Sequence, residues 1–412
     1  MSRSLDVLSL QPYFGGSHAQ FHRGWLSYSK HRWTTLELPA RNWKWRMRHA
    51  AIHFSQQIHQ FVDQGNRWDV IFATDMMNIA ELKGLLRSDL RDIPIVLYFH
   101  ENQFVYPNRF GQDRDRHFPF TNFISAIAAD QIWFNSKFNL DSMTQELWNS
   151  SKHWPDFRPT EAIETLEAKS RIQAPGIEAP PLDLATVQAA RDERASQGQP
   201  IHIVWAARWE HDKNPQRLFD AMKMLDEDGI AFRLSVIGQS FQTIPPVFDE
   251  IRSRFEKQII RWGYQETRAE YWETLADADI FLSTATHEFF GLSAAEAIAI
   301  GTRPLLPNRL AYPELLSYCD GGDGGDRAVE GAGAAGVAEM VDAYLYEDDE
   351  DETSSQPASD PRGLVNAIKE IVHQRENQTL DSTTDLAKRI QAQLALEVRS
   401  AEMDNSLVEA LG

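Results

Sequence analysis

Asp279-Ile280-Phe281-Leu282-Ser283 is followed, three residues later, by His287-Glu288-Phe289-Phe290-Gly291-Leu292-Ser293-Ala294-Ala295-Glu296. The first run is apolar and short enough for a buried strand. The stretch after Gly291 has a helical pattern, and Gly301 is its expected C-terminal stop. Glu288 therefore stands at the carboxyl end of a strand, and Glu296 is expected in or near the first turn of the next helix. In an open α/β sheet, that crevice is where ligands bind. An acid favoured by the helix dipole would account for Glu296 but leave Glu288 unexplained.

A second strand-to-helix passage lies upstream. Ile201 to Ala207 is strand-like, Arg208-Trp209-Glu210-His211-Asp212-Lys213 forms a short loop, and Asn214-Pro215 offers an N-cap followed by proline at the first helical position. Arg208 is a planar fork of donors and Lys213 a compact charge, a pair suited to a diphosphate. The competing reading pairs them with Glu210 and Asp212 as surface cations. A cationic pair and a glutamate pair at two strand ends together describe a nucleotide-sugar site. The cations would hold the diphosphate, and the glutamates would accept from sugar and ribose hydroxyls.

Outward from these passages, strand-like runs alternate with helical ones, the pattern of βα units. In the first half the strands fall near residues 5–10, 69–73, 94–99 and 130–134, and in the second near 201–207, 232–237, 258–262 and 279–283. The fold class is α/β, with two Rossmann-like domains of parallel strands expected to face each other across a cleft. The turn-rich segment from Ala174 to Pro181 marks the boundary: residues 1–176 form an acceptor-side domain and 177–382 a donor domain. Residues 383–412 read as a helical segment packing back across the domains. The stretches Gly321 to Asp326 and Glu347 to Glu352 read as solvated loops. No Gly-x-Gly-x-x-Gly follows a strand, which argues against a dinucleotide oxidoreductase.

The 412 residues are enough for two cores, and 42% hydrophobic with 25% charged residues is ordinary for a soluble protein. A lone cysteine, Cys319, excludes an internal disulfide. No stretch approaches the ~18 apolar residues of a membrane span, and no long apolar signal region opens the chain. A cytoplasmic protein without a membrane partner is expected. The net charge of −19 is uneven: residues 1–199 carry 22 Lys+Arg and 22 Asp+Glu, so all of the excess lies in residues 200–412. The first 60 residues hold eight Lys+Arg against two acids, leaving one half of the chain able to meet a polyanion.

That half has three candidate sites. Gly15 and Gly16, between the first strand and a helix, allow close backbone approach to a ligand and an anion at the helix start; a plain tight turn fits equally well. His100-Glu101-Asn102-Gln103 closes the third strand, where His100 can bond a sugar hydroxyl or act as a base on an acceptor, with Asn102, Gln103 and Asn122 as acceptor contacts. Arg41, Trp43, Lys44, Trp45, Arg46 and Arg48 combine cations with indoles, suited to phosphates and unpaired bases of RNA. An amphipathic helix start with buried tryptophans is the alternative. Arg109, Arg114, Arg116 and His117 form a second basic patch. Asp277-Ala278-Asp279 matches a metal-binding pattern but ends a helical run, so it reads as structural, and no zinc spacing is present.

Arg208, Lys213, Glu288 and Glu296 resemble the phosphate-binding pair and Glu-x7-Glu element of family 4 retaining glycosyltransferases, which have the GT-B fold. Four segments narrow this: Tyr13 to His18, Leu38 to Arg46, Phe99 to Gln103 and Trp209 to Pro215 look like the tRNA-queuosine α-mannosyltransferase group. The resemblance implies mannose transfer from GDP-mannose to queuosine in the anticodon of aspartate tRNA, with no metal required. It implies that Gly15, Gly16, Arg208 and Lys213 line the diphosphate, with Gly291 and Leu292 beside it. His100 and Glu288 would face the hexose, Glu296 the ribose, and Gly263 with Tyr264 the base. It also implies front-face attack, with the leaving phosphate taking the acceptor proton. The alternatives are a lipid, glycan or small-metabolite acceptor on the same fold, or a non-catalytic nucleotide-sugar or RNA-binding protein.

Overall fold

The computed structural model describes residues 3–106, 117–156, 158–240, 244–320, 343–347 and 360–411. The chain divides into two compact units, Met1–Gly176 with Leu394–Gly412, and Ile177–Gln393. Arg109, Arg114, Arg116, the Gly321-to-Asp326 stretch and most of the acidic run after Glu347 lie outside the described residues.

The first unit runs β1 (Asp6–Phe14), α1 (Gly16–Tyr28), β2 (Arg32–Pro39), α2 (Trp43–Asp63), β3 (Val70–Thr74), α3 (Ile79–Leu85), β4 (Ile95–Phe99), α4 (His117–Ala128), β5 (Gln131–Phe134), α5 (Lys137–Ser151), α6 (Thr160–Ala168) and β6 (Ser170–Ile172). The strands form one parallel sheet in the order β2-β1-β3-β4-β5-β6. All five residues of β3 and of β4 are buried, as strands covered on both faces require. Leu8, Leu10, Ile71, Ala73, Leu97 and Phe99 share a core with Ala50, Phe54 and Ile58 of α2. On the other face, Val7, Val70, Phe72 and Tyr98 pack with Phe21 and Trp25 of α1.

The second unit contains α7 (Leu184–Ser196), β7 (Ile201–Ala206), α8 (Pro215–Glu227), β8 (Phe232–Ile237), α9 (Val247–Arg254), β9 (Ile259–Gly263), α10 (Arg268–Asp277), β10 (Ile280–Leu282), α11 (Leu292–Ala299), β11 (Arg303–Pro307), α12 (Tyr312–Ser317) and β12 (Leu345–Tyr346). Its sheet order is β12-β11-β10-β7-β8-β9, again all parallel. Both units thus have the doubly wound α/β form expected from the alternation of apolar runs. Among the described residues, no helix is long and apolar enough to cross a membrane.

The segment after residue 383 divides. Helix Thr384–Leu394 buries Leu386, Ala387 and Ile390, and Gln391 Nε2 donates to the Ala299 carbonyl at 2.6 Å, inside the second unit. Helix Leu396–Glu409 belongs to the first unit, where Met403 and Leu407 join the α1 core. Its anchor is Asp404, 1% exposed. Asp404 accepts from Trp25 Nε1 at 2.9 Å, Ser29 Oγ at 2.8 Å and the Lys30 amide at 2.7 Å. Leu396 fills the space beside Gly24 and Gly176, where an added Cβ would come within 2.6 and 2.8 Å of it.

Three donors left unpaired in a buried setting each cost about 1–3 kcal/mol. Asp404→Ala is therefore expected to lower unfolding free energy by roughly 3–5 kcal/mol, the range for breaking a buried charged contact. Urea denaturation followed by tryptophan fluorescence checks this, and a loss within the scatter of surface substitutions would contradict it.

Candidate functional site

The loop after β7 turns back because Asn214 is left-handed (φ 47°) and caps α8 through its side chain, which accepts the Arg217 amide, with Pro215 as the first helical residue. Gly238, ending β8, makes a second close approach: a Cβ there would lie 1.7 Å from the Ala207 carbonyl oxygen. This glycine lets the backbone after β8 lie against the cationic loop, and the Trp209 amide donates to the Gln239 carbonyl at 2.9 Å. Gly238 had no motif to mark it in sequence.

The neighbouring strand end is tied to the same loop. Thr284 Oγ1 donates to the Lys213 carbonyl at 2.8 Å, and the Thr286 amide and hydroxyl both reach the Asp212 carbonyl. Between the two segments lies the Lys213 ammonium, 8% exposed. It contacts the His287 carbonyl at 2.7 Å, Glu288 Oε2 at 3.2 Å and Asp212 Oδ2 at 3.2 Å. Lys213 of the cationic pair thus meets Glu288 of the glutamate pair, and its ion pair with Asp212, the competing reading, forms as well. The Arg208–Glu210 pairing also forms, at 3.4 Å, and Arg208 remains exposed.

The charges of this cluster hold one another in place. Burial alone would raise the Glu288 carboxyl, yet the Lys213 ammonium and its hydrogen bond leave it below its ordinary value. Burial opposes Asp212 ionisation in the same way and is outweighed by Lys213 and Arg208. Burial also disfavours the Lys213 ammonium, but Glu288 and Asp212 raise it overall. His287, buried and beside Lys213, falls to about 3 and is neutral. Glu288 keeps 25% of its side chain exposed, so its carboxylate is within reach of a ligand.

Gly291, with φ 92° and Tyr312 Cε1 only 3.1 Å from a notional Cβ, closes the turn and starts α11 without a side-chain cap. Such a start presents first-turn amides, among them that of Leu292, to an anion. Glu296 is the fifth residue of this helix rather than a first-turn acid, because the helix begins only at Leu292. Its carboxylate is 4% exposed, paired with Arg268 Nη2 and accepting Tyr271 Oη at 2.7 Å. Arg268 also holds Glu178 at 2.9 Å and lies over the Tyr271 ring. Neither partner was visible in the spacing of the glutamates. At the end of β9, Gly263 has φ 85° and Tyr264 is 62% exposed. Asp277 and Asp279 are structural: Asp277 pairs with His202, Arg233 and Arg194, and Asp279 accepts the His202 amide.

In the first unit the glycine pair separates. Gly15 is extended, and its Cβ would meet Ala40 Cβ at 2.5 Å, so close packing requires a glycine there. Gly16 has φ 53° with open space around it. His100 caps the end of β4, its ring 4.0 Å from that of His18. Burial, then His18 and His22, push it well below the usual imidazole range.

Asn102 and Asn122 turn inward. Asn102 bonds Asn139, Ser142 and the Phe104 amide, while Asn122 accepts the Gln103 amide and donates to the Asp75 carbonyl. Both are essentially fully buried, and Gln103 is buried with its amide on Glu101. These residues shape the loop from within; a polar run at a strand end carries no signal of which side chains face solvent.

The basic tryptophan segment divides similarly. Arg46 is buried on the Pro39 carbonyl, and Trp43 packs on Phe118. Arg41, Lys44, Trp45 and Arg48 remain exposed, with Trp45 60% exposed and stacked on His49.

Residues 6–177 match the model of the tRNA-queuosine alpha-mannosyltransferase N-terminal family, and 187–320 that of glycosyl transferases group 1. A tRNA-queuosine alpha-mannosyltransferase of Drosophila melanogaster is 36% identical over 75% of this chain and 81% of its own length. The chain belongs to the tRNA-queuosine α-mannosyltransferase family. A GDP-mannose-dependent alpha-(1-6)-phosphatidylinositol dimannoside mannosyltransferase of Mycobacterium tuberculosis is 29% identical over 29% of this chain and 31% of its own. The fold is shared with the catalytic domain of Arabidopsis thaliana starch synthase IV, at TM-score 0.67 and 11% identity, covering 99% of this chain and 100% of that one. The expected GT-B class is thereby met.

Removing Lys213 would strand two buried carboxylates. Lys213→Ala is expected to cost about 3–5 kcal/mol at neutral pH. Asp212 and Glu288 have lowered folded values, so their pairing stabilises above ordinary values of 3.8 and 4.5 and is lost as pH falls through the lowered ones. The gap between wild type and variant should therefore narrow between pH 7 and pH 3. Urea midpoints across that range test this, and a gap that widens towards acid would contradict it.

Proposed function

We propose that this protein transfers mannose from GDP-mannose to queuosine in the anticodon of aspartate tRNA, in the cytoplasm and with retention of configuration. The observation that carries the donor reading is the buried Lys213–Glu288 pair at adjoining strand ends, with exposed Arg208 beside it. The family and the group 1 glycosyltransferase match support the same reaction. The name of the M. tuberculosis relative supports GDP-mannose as donor.

In this reading the diphosphate lies on Arg208, Lys213 and the Gly291–Leu292 amides, and the leaving charge is met there without a metal. Glu288 accepts from hexose hydroxyls, Glu296 from the ribose, and Gly263 with Tyr264 borders the base. The bond from the mannose anomeric carbon to the β-phosphate oxygen breaks, and one to an acceptor hydroxyl forms. The acceptor proton goes to the leaving phosphate. Arg41, Lys44 and Arg48 take tRNA phosphates, and Trp45 stacks on an unpaired base.

The direct test is incubation with GDP-mannose and queuosine-containing tRNA, then mass spectrometry of the digested nucleosides. A queuosine carrying one added hexose is expected. Hexose on a lipid or glycan, with tRNA unmodified, would support the alternative acceptor.

Two variants separate the roles. Arg208→Ala should lower turnover by about 10²–10³, the effect of one oxyanion-type donor, with the unfolding midpoint unchanged; near-wild-type turnover would refute its role. Trp45→Ala should weaken tRNA binding roughly tenfold, within the range of one base stack, without loss of stability. Filter binding measures this, and unchanged affinity would remove Trp45 from the interface.

A further inference from the structure

Buried side-chain atoms without a partner gather at one place in the first unit. Gln11 Oε1, Thr74 Oγ1, Asp75 Oδ2, His22 Nδ1 and His100 Nε2 have no hydrogen-bond partner among the described residues. Gln11 follows Leu10, which pairs with Ala73, and Thr74 pairs with Tyr98. Gln11, within β1, therefore lies beside Thr74, Asp75 and His100 at the adjoining carboxyl ends of β3 and β4, and His22 comes from α1, which packs on that face. A buried polar atom left unpaired costs about 1–3 kcal/mol, so five together call for something that pairs with them.

Asp75 is the most constrained of the group. It is 1% exposed. Its Oδ1 accepts the His100 amide at 3.2 Å, and its main-chain carbonyl accepts Asn122 Nδ2 at 3.2 Å. The main-chain amides of Asp75 and Glu101 also approach the carboxyl, and Oδ2 is held in position without a hydrogen-bond partner among the described residues. Burial, and then the neighbouring Glu101, push the carboxyl well above its ordinary value. The histidines beside it are neutral, His22 at about 4 through burial and then Arg23. The cluster thus combines a carboxyl that holds its proton more tightly than usual with an amide oxygen, a hydroxyl and imidazole nitrogens. A phosphate has no cation to meet in this set, whereas an aliphatic hydroxyl both donates and accepts.

We propose that Asp75 is a substrate-binding residue that donates a hydrogen bond from Oδ2 to an aliphatic hydroxyl, of the transferred hexose or of the acceptor, held at the carboxyl ends of β3 and β4. The two sources follow from the proposed function, on which this inference rests. Asp75→Asn keeps the acceptor for the His100 amide and supplies an N–H in place of the O–H, while Asp75→Ala supplies neither.

The test is steady-state transfer by the full chain and both variants, with GDP-mannose and queuosine-containing tRNA varied in turn. Asp75→Asn should stay within about threefold of wild type in both KM values. Asp75→Ala should raise one of them about tenfold or more. A rise for GDP-mannose puts the hydroxyl on the hexose, and a rise for tRNA puts it on the acceptor. Both KM values within twofold for a folded Asp75→Ala would overturn the proposal, since water alone would then satisfy these groups. Equal losses in Asp75→Asn and Asp75→Ala would overturn it too. Should Asp75→Ala not fold, Asp75→Ser, with its shorter hydroxyl, is expected to show the same tenfold rise. If the wild type transfers nothing, the proposed function fails, and Asp75 is read from calorimetric binding of GDP-mannose and of the tRNA. One affinity should then fall tenfold in Asp75→Ala, and unchanged affinities would overturn the inference.

Discussion

A single buried ammonium links two strand ends in the second unit. Lys213 reaches across from the loop after β7 to the His287 carbonyl and Glu288 beyond β10, while Asp212 balances it from behind. An ammonium in so enclosed a place survives only if charged neighbours repay its desolvation. Those neighbours are fixed in turn by the threonines that bind the loop's carbonyls and by Gly238 against Ala207. The arrangement is both a structural knot and a site: it holds Glu288 ionised and partly exposed next to the exposed charge of Arg208. Stability and ligand chemistry cannot be separated at Lys213, but they can at Arg208.

The first unit solves a different problem. The ends of β3 and β4 present neutral imidazoles, a buried acid and amide groups, while exposed positive charge is displayed on the start of α2 around Trp45. The chain's acidic excess lies wholly in residues 200–412. A polyanion would therefore meet favourable charge on the first unit and repulsion from the bulk of the second, where Arg208 and Lys213 are balanced by Glu210, Asp212 and Glu288.

Much of this is legible in the amino-acid sequence, and what is not has physical reasons. Strands such as β3, β4, β7 and β10 announce themselves as apolar runs because both of their faces are covered. The edge strand β2 does not, since Arg32, Thr34, Thr35 and Glu37 break its apolar pattern, and β11 carries Pro304 and Pro307, which read as turn. The strand-end cations and glutamates were found by type and spacing. Which side chain faces outward was not: Asn102, Asn122 and Arg46 look identical in sequence to ligand contacts, and only tertiary packing turns them inward. Glu296 stands where the reading puts it, next to the first turn of the helix after Gly291, but its pairing with Arg268 and Tyr271 comes from tertiary packing and has no trace in the spacing. Asp75, in Thr74-Asp75-Met76-Met77, has no neighbouring motif at all; its burial and unused oxygen are properties of the fold.

The central claim is that the Arg208–Lys213 loop and the Glu288 turn together grip a sugar diphosphate. A crystal structure of the protein with GDP-mannose tests it most directly. The account predicts diphosphate oxygens within hydrogen-bond distance of the Arg208 guanidinium and Lys213 Nζ, with a hexose hydroxyl on Glu288. A diphosphate bound elsewhere, with Lys213 still occupied only by Asp212, Glu288 and the His287 carbonyl, would contradict it.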